Sequence, residues 1–528
     1  MVTPATENVT PPRNSKPVAV VDIGTTSVRM AIAEIDTSGR VRKLENLSQA
    51  VRLGKDTFTV GYIRKSTIEE CVRVLRRYSQ VLMEYGITNT DQIRVVATSA
   101  VREARNRLAF IDRIYIATGL QVEPIDEAEV NRVTYLGVQP LLQAEPALAG
   151  ARTLVVEVGG GSTEVLVVRR SDVIYANALR LGSLRLRETL EAYRTPTLKV
   201  RDLMESQIER MIRQITENVP RTGKVEILAM GGDIRFAASR LVTDWNPNQL
   251  SRIAIGQLER LTDKLLNMSE DAIVRQFHLS FPEAETAGPA LLTYIQLARV
   301  YGLDTVLVAN INLRDGLLNE MAANAMWTEE FSNQIIRSAL DLGRKYHFDE
   351  PHARHVAELS RLLFQALRDE HKLDHRHAII LYVAALLHEI GFYVSQQSHH
   401  KHSLYLIKNS ELFGLSRRDI LLAALVARYY RRASPQPSHE GYSSLTRDER
   451  VAVSKMAAIL RVAVALDDSR SQRIADFTCT REQGRIVITV PQVKDLSLEQ
   501  LALRQHSSLF DATFGVPVLL RTRREETA

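Results

Sequence analysis

The apolar positions of this chain change their period along its length. From Val18 onward, short apolar runs alternate with stretches of helical spacing. The pattern predicts strands at Val18–Val21, Val28–Ile35 and Ile93–Thr98, and helices over Ser66–Tyr85 and Ala104–Thr118. A second block of the same kind begins near Val138, after which Gln139–Gly150 reads as a loop insertion. It carries predicted strands at Thr153–Val158, Val165–Val168 and Val225–Met230, helices at Lys199–Asn218 and Gln257–Leu266, and a last apolar run over Thr305–Asn310. From about Met326 to about Asp468 the spacing is helical, with almost no strand signal. Strand character returns at Arg485–Val490 and Val516–Arg521, around a helix at Leu498–Phe510. The expected architecture is two α/β lobes, an all-α domain and a small C-terminal α/β piece.

One pattern occurs twice. Val18–Ala33 and Leu154–Val168 each read as apolar strand, acidic residue, Gly and hydroxyl turn, then a second apolar strand. The turns are Gly24-Thr25-Thr26-Ser27 and Gly159-Gly160-Gly161-Ser162-Thr163, and the acids before them are Asp22 and Glu157. A hairpin turn of this kind presents backbone N–H groups to an oxyanion. The acid at the strand end is placed to hold a metal or to orient water. Two such turns facing each other make a cleft that clamps a polyphosphate.

Composition narrows the setting. The 528 residues are 45% hydrophobic and 25% charged, as expected of a globular multidomain chain. A formal net charge of +6 suits an anionic ligand without requiring nucleic acid. Two cysteines far apart in sequence predict no disulfide framework and a reducing, cytoplasmic setting. Residues 1–16 are rich in Thr, Pro and Asn and are read as a disordered tail, not as a signal peptide; no run is long and apolar enough for a membrane span.

The motifs together resemble the exopolyphosphatase and guanosine-pentaphosphate phosphohydrolase family, in its long form. The resemblance rests on Asp22-Ile23-Gly24, Ala97–Ala104, Gly159–Glu164, Leu181–Leu186, Leu313-Arg314-Asp315-Gly316, Ala385–Gly391 and Ser398–Ser403. It implies a duplicated actin-like fold with lobe I at 17–135 and lobe II at 136–325. It further implies an HD-like helical domain at 326–474 and a small α/β domain at 475–528. The implied chemistry is removal of a terminal phosphate from inorganic polyphosphate or guanosine pentaphosphate with Mg²⁺, by a homodimer. That chemistry needs an in-line water, a carboxylate to orient it and cations on the phosphoryl oxygens.

By this resemblance Gly24, Thr25, Thr26, Ser27, Gly160, Gly161, Ser162, Thr163, Gly231 and Gly232 bind phosphate. Asp22, Glu157 and Glu164 are the metal carboxylates. Arg102, Glu129, Glu157 and Glu164 form the catalytic set, with Arg102 as the phosphate-facing guanidinium. The chain departs from the family pattern where the chemistry lies. The middle of the first loop is Thr26 where Asn is usual, and the second loop starts from Glu157 where Asp is usual. Of the family's paired glutamates, the first aligns with Glu129 and the second, the base, with Val130, which can accept no proton. Glu127 or Glu129 is the expected substitute. The third loop carries Asp233, and Ala309-Asn310 stand where Ser-Asp is usual.

In the helical domain, the positions of HD-type metal ligands fall on His355, His388-Glu389 and Val464, with Asp467 three residues beyond. His399, His400 and His402 are read as structural or anion-contacting. Two other readings stand beside the hydrolase: a catalytically impaired member that binds polyphosphate or nucleotide as a regulator, and a small-molecule kinase on the same fold.

Overall fold

A computed structural model describes residues 15–170, 172–192, 197–323, 329–491, 493 and 495–522. The chain divides into two compact units, Met1–Ala325 and Met326–Ala528.

The first unit holds two sheets. Strands β1 (Lys16–Ile23), β2 (Ser27–Ile35), β3 (Val41–Ala50), β4 (Ile93–Ala97) and β5 (Val122–Pro124) form one, in the order β3-β2-β1-β4-β5. The first three are antiparallel, and β1-β4-β5 are parallel. Strands β6 (Arg152–Val158), β7 (Thr163–Arg169), β8 (Asp172–Leu179), β9 (Val225–Met230), β10 (Ser251–Ala254) and β11 (Thr305–Val308) form the second. Its order, β10-β11-β9-β6-β7-β8, repeats the first topology with β10 added at one edge. The duplication read from the hairpins therefore extends through both sheets. Central β1 is a continuous apolar run because it has strand neighbours on both sides and packed layers on both faces. Edge strand β3, missed from sequence, mixes half-exposed and exposed residues without a regular alternation and is mostly polar, as suits an edge.

Two helices tie the sheets together. The helix Glu127–Ala144 runs through the segment expected as a loop from Gln139, and the expected lobe boundary at 135/136 falls inside it. Pro140 lacks the N–H that would bond the Leu136 carbonyl. Asn319 Nδ2 donates to that carbonyl instead, at 3.0 Å, so the helix continues. The last helix, Leu313–Ala322, returns to the first sheet, where Leu313, Leu317 and Leu318 complete a core with Val18, Val20, Ala31 and Val133.

The second unit is helical from Glu329 to Leu466. It closes with β12 (Thr478–Glu482), β13 (Arg485–Val490) and β14 (Val518–Thr522), where β13 and β14 are parallel. The helices Ser497–His506 and Ser508–Phe514 pack on helix Arg447–Leu466, within the second compact unit. Residues 1–14 of the expected tail and the expected boundary at Met326 lie outside the described residues; Lys16 already opens β1. Among the described residues no helix is long and apolar enough to cross a membrane.

Candidate active site

The two turns close in the same way. The Gly24 N–H donates to the Ser27 carbonyl at 3.0 Å, and the Gly159 N–H to the Ser162 carbonyl at 2.9 Å. They also touch. A Cβ on Gly160 would stand 2.8 Å from the Thr25 methyl, and one on Gly161 would stand 2.6 Å from the Phe58 ring. The triple glycine, expected to admit a ligand, thus first admits the opposing lobe. The Leu181–Leu186 motif braces the second turn from behind. Ser183 and Arg185 donate backbone N–H groups to the Gly159 and Gly160 carbonyls, both at 2.9 Å. The Arg185 Nε donates to Gly161 O at 2.8 Å, and its guanidinium lies 4.0 Å over the Phe58 ring.

A cleft opens between the turns. Asp22, Gly24, Thr25, Thr26, Arg102, Glu157, Gly160, Gly161, Ser162, Glu164, Gly231 and Gly232 all line it. Three expected residues do not. Thr163 is fully buried and its hydroxyl donates to the Leu181 carbonyl at 2.5 Å. Ser27 is buried, and its contribution is the carbonyl that closes the first turn. Glu129 turns away: its carboxylate accepts from Arg132 at 2.5 and 3.1 Å and from Arg94 at 3.3 Å. Arg94 and Arg132 both continue to Glu320 on the last helix of the unit. The Asp126 side chain caps this helix by accepting from the Glu129 N–H at 2.8 Å, which fixes the register. At that level of the cleft stands Val130. Glu127, one turn earlier on the same face, approaches Arg102 at 3.4 Å, while Arg102 donates to the Ile125 carbonyl at 2.9 Å.

The acids dominate the cleft. Asp22, Glu157, Glu164, Asp233 and Glu283 line it against Arg29 and Arg102. Glu157 and Glu164 are register partners on β6 and β7. Burial pushes the Glu164 carboxyl up to about 7, and the charge of Glu157 adds to the rise; a hydrogen bond from Ser162 Oγ opposes it. Burial also raises Glu157, against Arg235 and Arg29. Asp233 is pushed up to about 6, again by burial first. Asp22 is 5% exposed, with Arg314 at 3.5 Å and Arg29 at 3.9 Å from its Oδ2, and its Oδ1 has no hydrogen-bond partner among the described residues.

Sequence reasoning left several of these side chains without a role. Arg29 sits at the register partner of Asp22, and Ser99 joins Thr25 Oγ1 at 3.3 Å. Tyr294 accepts from the Val158 N–H at 3.0 Å and donates to the Met230 carbonyl, pinning the ends of β6 and β9 together. Gly231 caps the next helix with φ +107°, a backbone that suits glycine. Arg314 was visible as part of the Leu313–Gly316 motif; Tyr294 lies in an apolar helix that gave no signal.

In the second unit, the residue grouped with His388 and Glu389 is His352, not His355. His352 Nδ1 meets Asp467 at 2.7 Å, so the Asp467 carboxylate is engaged by a histidine. His399 is a structural residue: it donates to the Gln396 carbonyl at 2.9 Å and accepts from Tyr430.

Residues 31–325 match the Ppx/GppA phosphatase family, and residues 336–507 match Ppx/GppA phosphatase, domain III. The chain is 24% identical over 510 residues to a guanosine-5'-triphosphate,3'-diphosphate pyrophosphatase of Photobacterium profundum, covering 92% of this chain and 95% of that one. It is 25% identical over 489 residues to the protein of the same name from Aeromonas hydrophila, covering 90% and 93%. A solved exopolyphosphatase from Cytophaga hutchinsonii superposes with a TM-score of 0.53 at 19% identity, over 58% of this chain and 98% of that chain. That likeness carries the fold.

Proposed function

Because the chain belongs to the Ppx/GppA phosphatase family, we propose that it hydrolyses a terminal phosphoanhydride, in guanosine pentaphosphate or in inorganic polyphosphate. The observation that carries this reading is the meeting of two identically closed turns over a cleft lined by Arg102 and Glu164. The amides of Gly24 and Gly159 are spent on closing their turns. The following amides, at Thr25, Thr26, Gly160 and Gly161, receive phosphoryl oxygens, and Arg102 takes two more in its guanidinium fork.

Glu164 orients the attacking water and takes its proton. Its carboxyl sits near 7, close to the pH at which a general base is most effective. Ser162, hydrogen-bonded to Glu164 at 2.5 Å, holds that carboxylate in place. The donor set fits Mg²⁺: Asp22 keeps a buried, unpartnered oxygen, and five lining carboxylates would repel a polyphosphate without a cation between them. Asp22 and Glu157 would hold the ion, which when bound neutralises charge on the phosphoryl oxygens. Val130 at the family's usual base position favours a slow enzyme, since a positioned base contributes typically about 10²–10⁴-fold.

The test is Mg²⁺-dependent phosphate release from guanosine pentaphosphate and from long-chain polyphosphate, beside Glu164→Gln. Release that falls by about 10² or more in the variant supports the hydrolase. Binding of either polyanion without release supports the regulator.

A further inference from the structure

Arg461, on the helix Arg447–Leu466, is only 1% exposed and is the largest fully buried side chain among the described residues. Its Nε donates to the Tyr429 carbonyl and its Nη2 to the Ala433 carbonyl, both at 2.7 Å. Tyr429 ends the helix Arg417–Arg428, so the guanidinium caps that helix through neutral acceptors and leaves other donors unspent. Burial alone lowers this guanidinium, to about 10, and no carboxylate opposes the shift. A buried cation without a counter-charge is costly. Its surroundings add positive charge instead of balancing it. Arg461 borders an open cavity of about 370 Å³ together with Arg431, Arg432, Gln505, His506 and Ser508, and no carboxylate is in that lining. His506 feels the charges of Arg461 and Arg431, and its Nδ1 has no hydrogen-bond partner among the described residues. Asp468, the carboxylate that acts on His506, is exposed and lies outside the lining.

We propose that Arg431, Arg432, Arg461, His506 and Ser508 form an oxyanion site in the second unit, and that its ligand is a phosphate group. Guanidinium forks match phosphate oxygens in geometry as well as charge. The anion supplies the counter-charge that Arg461 lacks and offsets the repulsion among the cations around it. Beside it the protonated form of His506 is favoured, and Nδ1 then donates. The Ser508 hydroxyl and the Gln505 amide add neutral donors. Arg431 and Arg432 are exposed, so the ligand enters from solvent between them. Arg431, Arg432, Gln505 and His506 also border the neighbouring cavity of His352 and Glu389, whereas Arg461 and Ser508 do not. Arg461 therefore marks the site. It needs no metal and does not rest on the proposed hydrolysis. The phosphate is either free in solution or part of a longer phosphate chain, and the two are distinguished below.

The experiment soaks crystals of the full-length protein in tungstate, a heavy tetrahedral oxyanion, and titrates the protein in solution with inorganic phosphate and with tripolyphosphate. The titrations carry Arg102→Ala throughout, so that the cleft of the first unit contributes least. The expected result is an anomalous peak within hydrogen-bond reach of Arg461 and Arg431. In solution, saturable binding should weaken by about tenfold or more in Arg431→Ala/Arg432→Ala, the order for losing a charge-assisted hydrogen bond. Saturation by phosphate itself assigns the ligand to free phosphate; saturation by tripolyphosphate alone assigns it to a chain. A peak absent from Arg461, or found only beside His352, overturns the site. So does a peak with no binding in solution, or binding that the double variant leaves unaltered. Both substituted side chains are exposed, so the variant tests charge and not folding, and the tungstate position is read on unmutated protein.

Discussion

Glu157 and Glu164 stand directly opposite each other on β6 and β7, whereas the corresponding pair on β1 and β2 is Asp22 and Arg29. At this register position of the duplicated hairpins, like charges therefore replace an ion pair. Like charges facing across a ladder are destabilising.

In metal-free protein this sets a pH dependence. The folded Glu164 carboxyl titrates at about 7, above its ordinary value of 4.5. Its contribution to stability is full below the ordinary value, falls as pH rises between the two, and stays low above about 7. Glu164→Gln should raise Tm at pH 8, by an amount equivalent to about 1–3 kcal/mol, and leave it unchanged at pH 4.5. Thermal melts at the two pH values, with a chelator present, read this directly. Equal shifts at both would count against it.

Val130→Glu restores a carboxylate at the cleft level where the Glu129 carboxylate is turned away. The expected outcome is a rise in kcat of about tenfold or more, with some loss of stability because Val130 packs with Ile125, Val133 and Leu313. Steady-state phosphate release together with a urea midpoint separates the two effects. An unchanged kcat would mean that Glu164 alone governs the water.

Glu129→Gln should act on the fold rather than on the chemistry. It leaves Arg132, 4% exposed, with one fewer charged partner inside a buried network. Breaking such a pair costs about 3–5 kcal/mol where the remaining charge is uncompensated; Glu320 remains here, so the loss should fall below that. Chemical denaturation should show it, with kcat per folded molecule preserved.

Gly161→Ala tests the contact between lobes. The new methyl meets Ser99 and the Phe58 ring, so one lobe has to yield. Overpacking of this kind costs typically about 1–3 kcal/mol. The readout is a raised KM for the polyphosphate substrate. An unaltered KM would show that the loops open without penalty.

The hairpins and central strands were legible because they are buried on both faces, which leaves unbroken apolar runs such as Val18–Val21 and Leu154–Val156. Strands β3 and β12 were not, because their half-exposed edges carry polar residues without a clean alternation. The helix through Gln139 was hidden by Pro140, whose orphaned carbonyl partner is rescued by Asn319 from a distant segment. The same kind of long-range contact misdirected the site. Sequence places Glu129 beside Val130, but only the fold brings Arg94 to claim its carboxylate, with Glu320 sharing the same guanidinium. In the second unit, His352 and His355 are one helical turn apart, and which of them meets His388 depends on how the helices pack.

The return of helix Leu313–Ala322 to the first sheet bears on how the protein is made. One face of β1 and β2 waits for Leu313, Leu317 and Leu318 before its core is covered. On the ribosome those strands emerge early and stay half-bare while the whole second sheet is synthesised. The amino-terminal lobe therefore cannot finish folding as an autonomous first domain. A nascent chain halted before residue 313 should expose that apolar face to chaperones, and one halted beyond Ala322 should hide it.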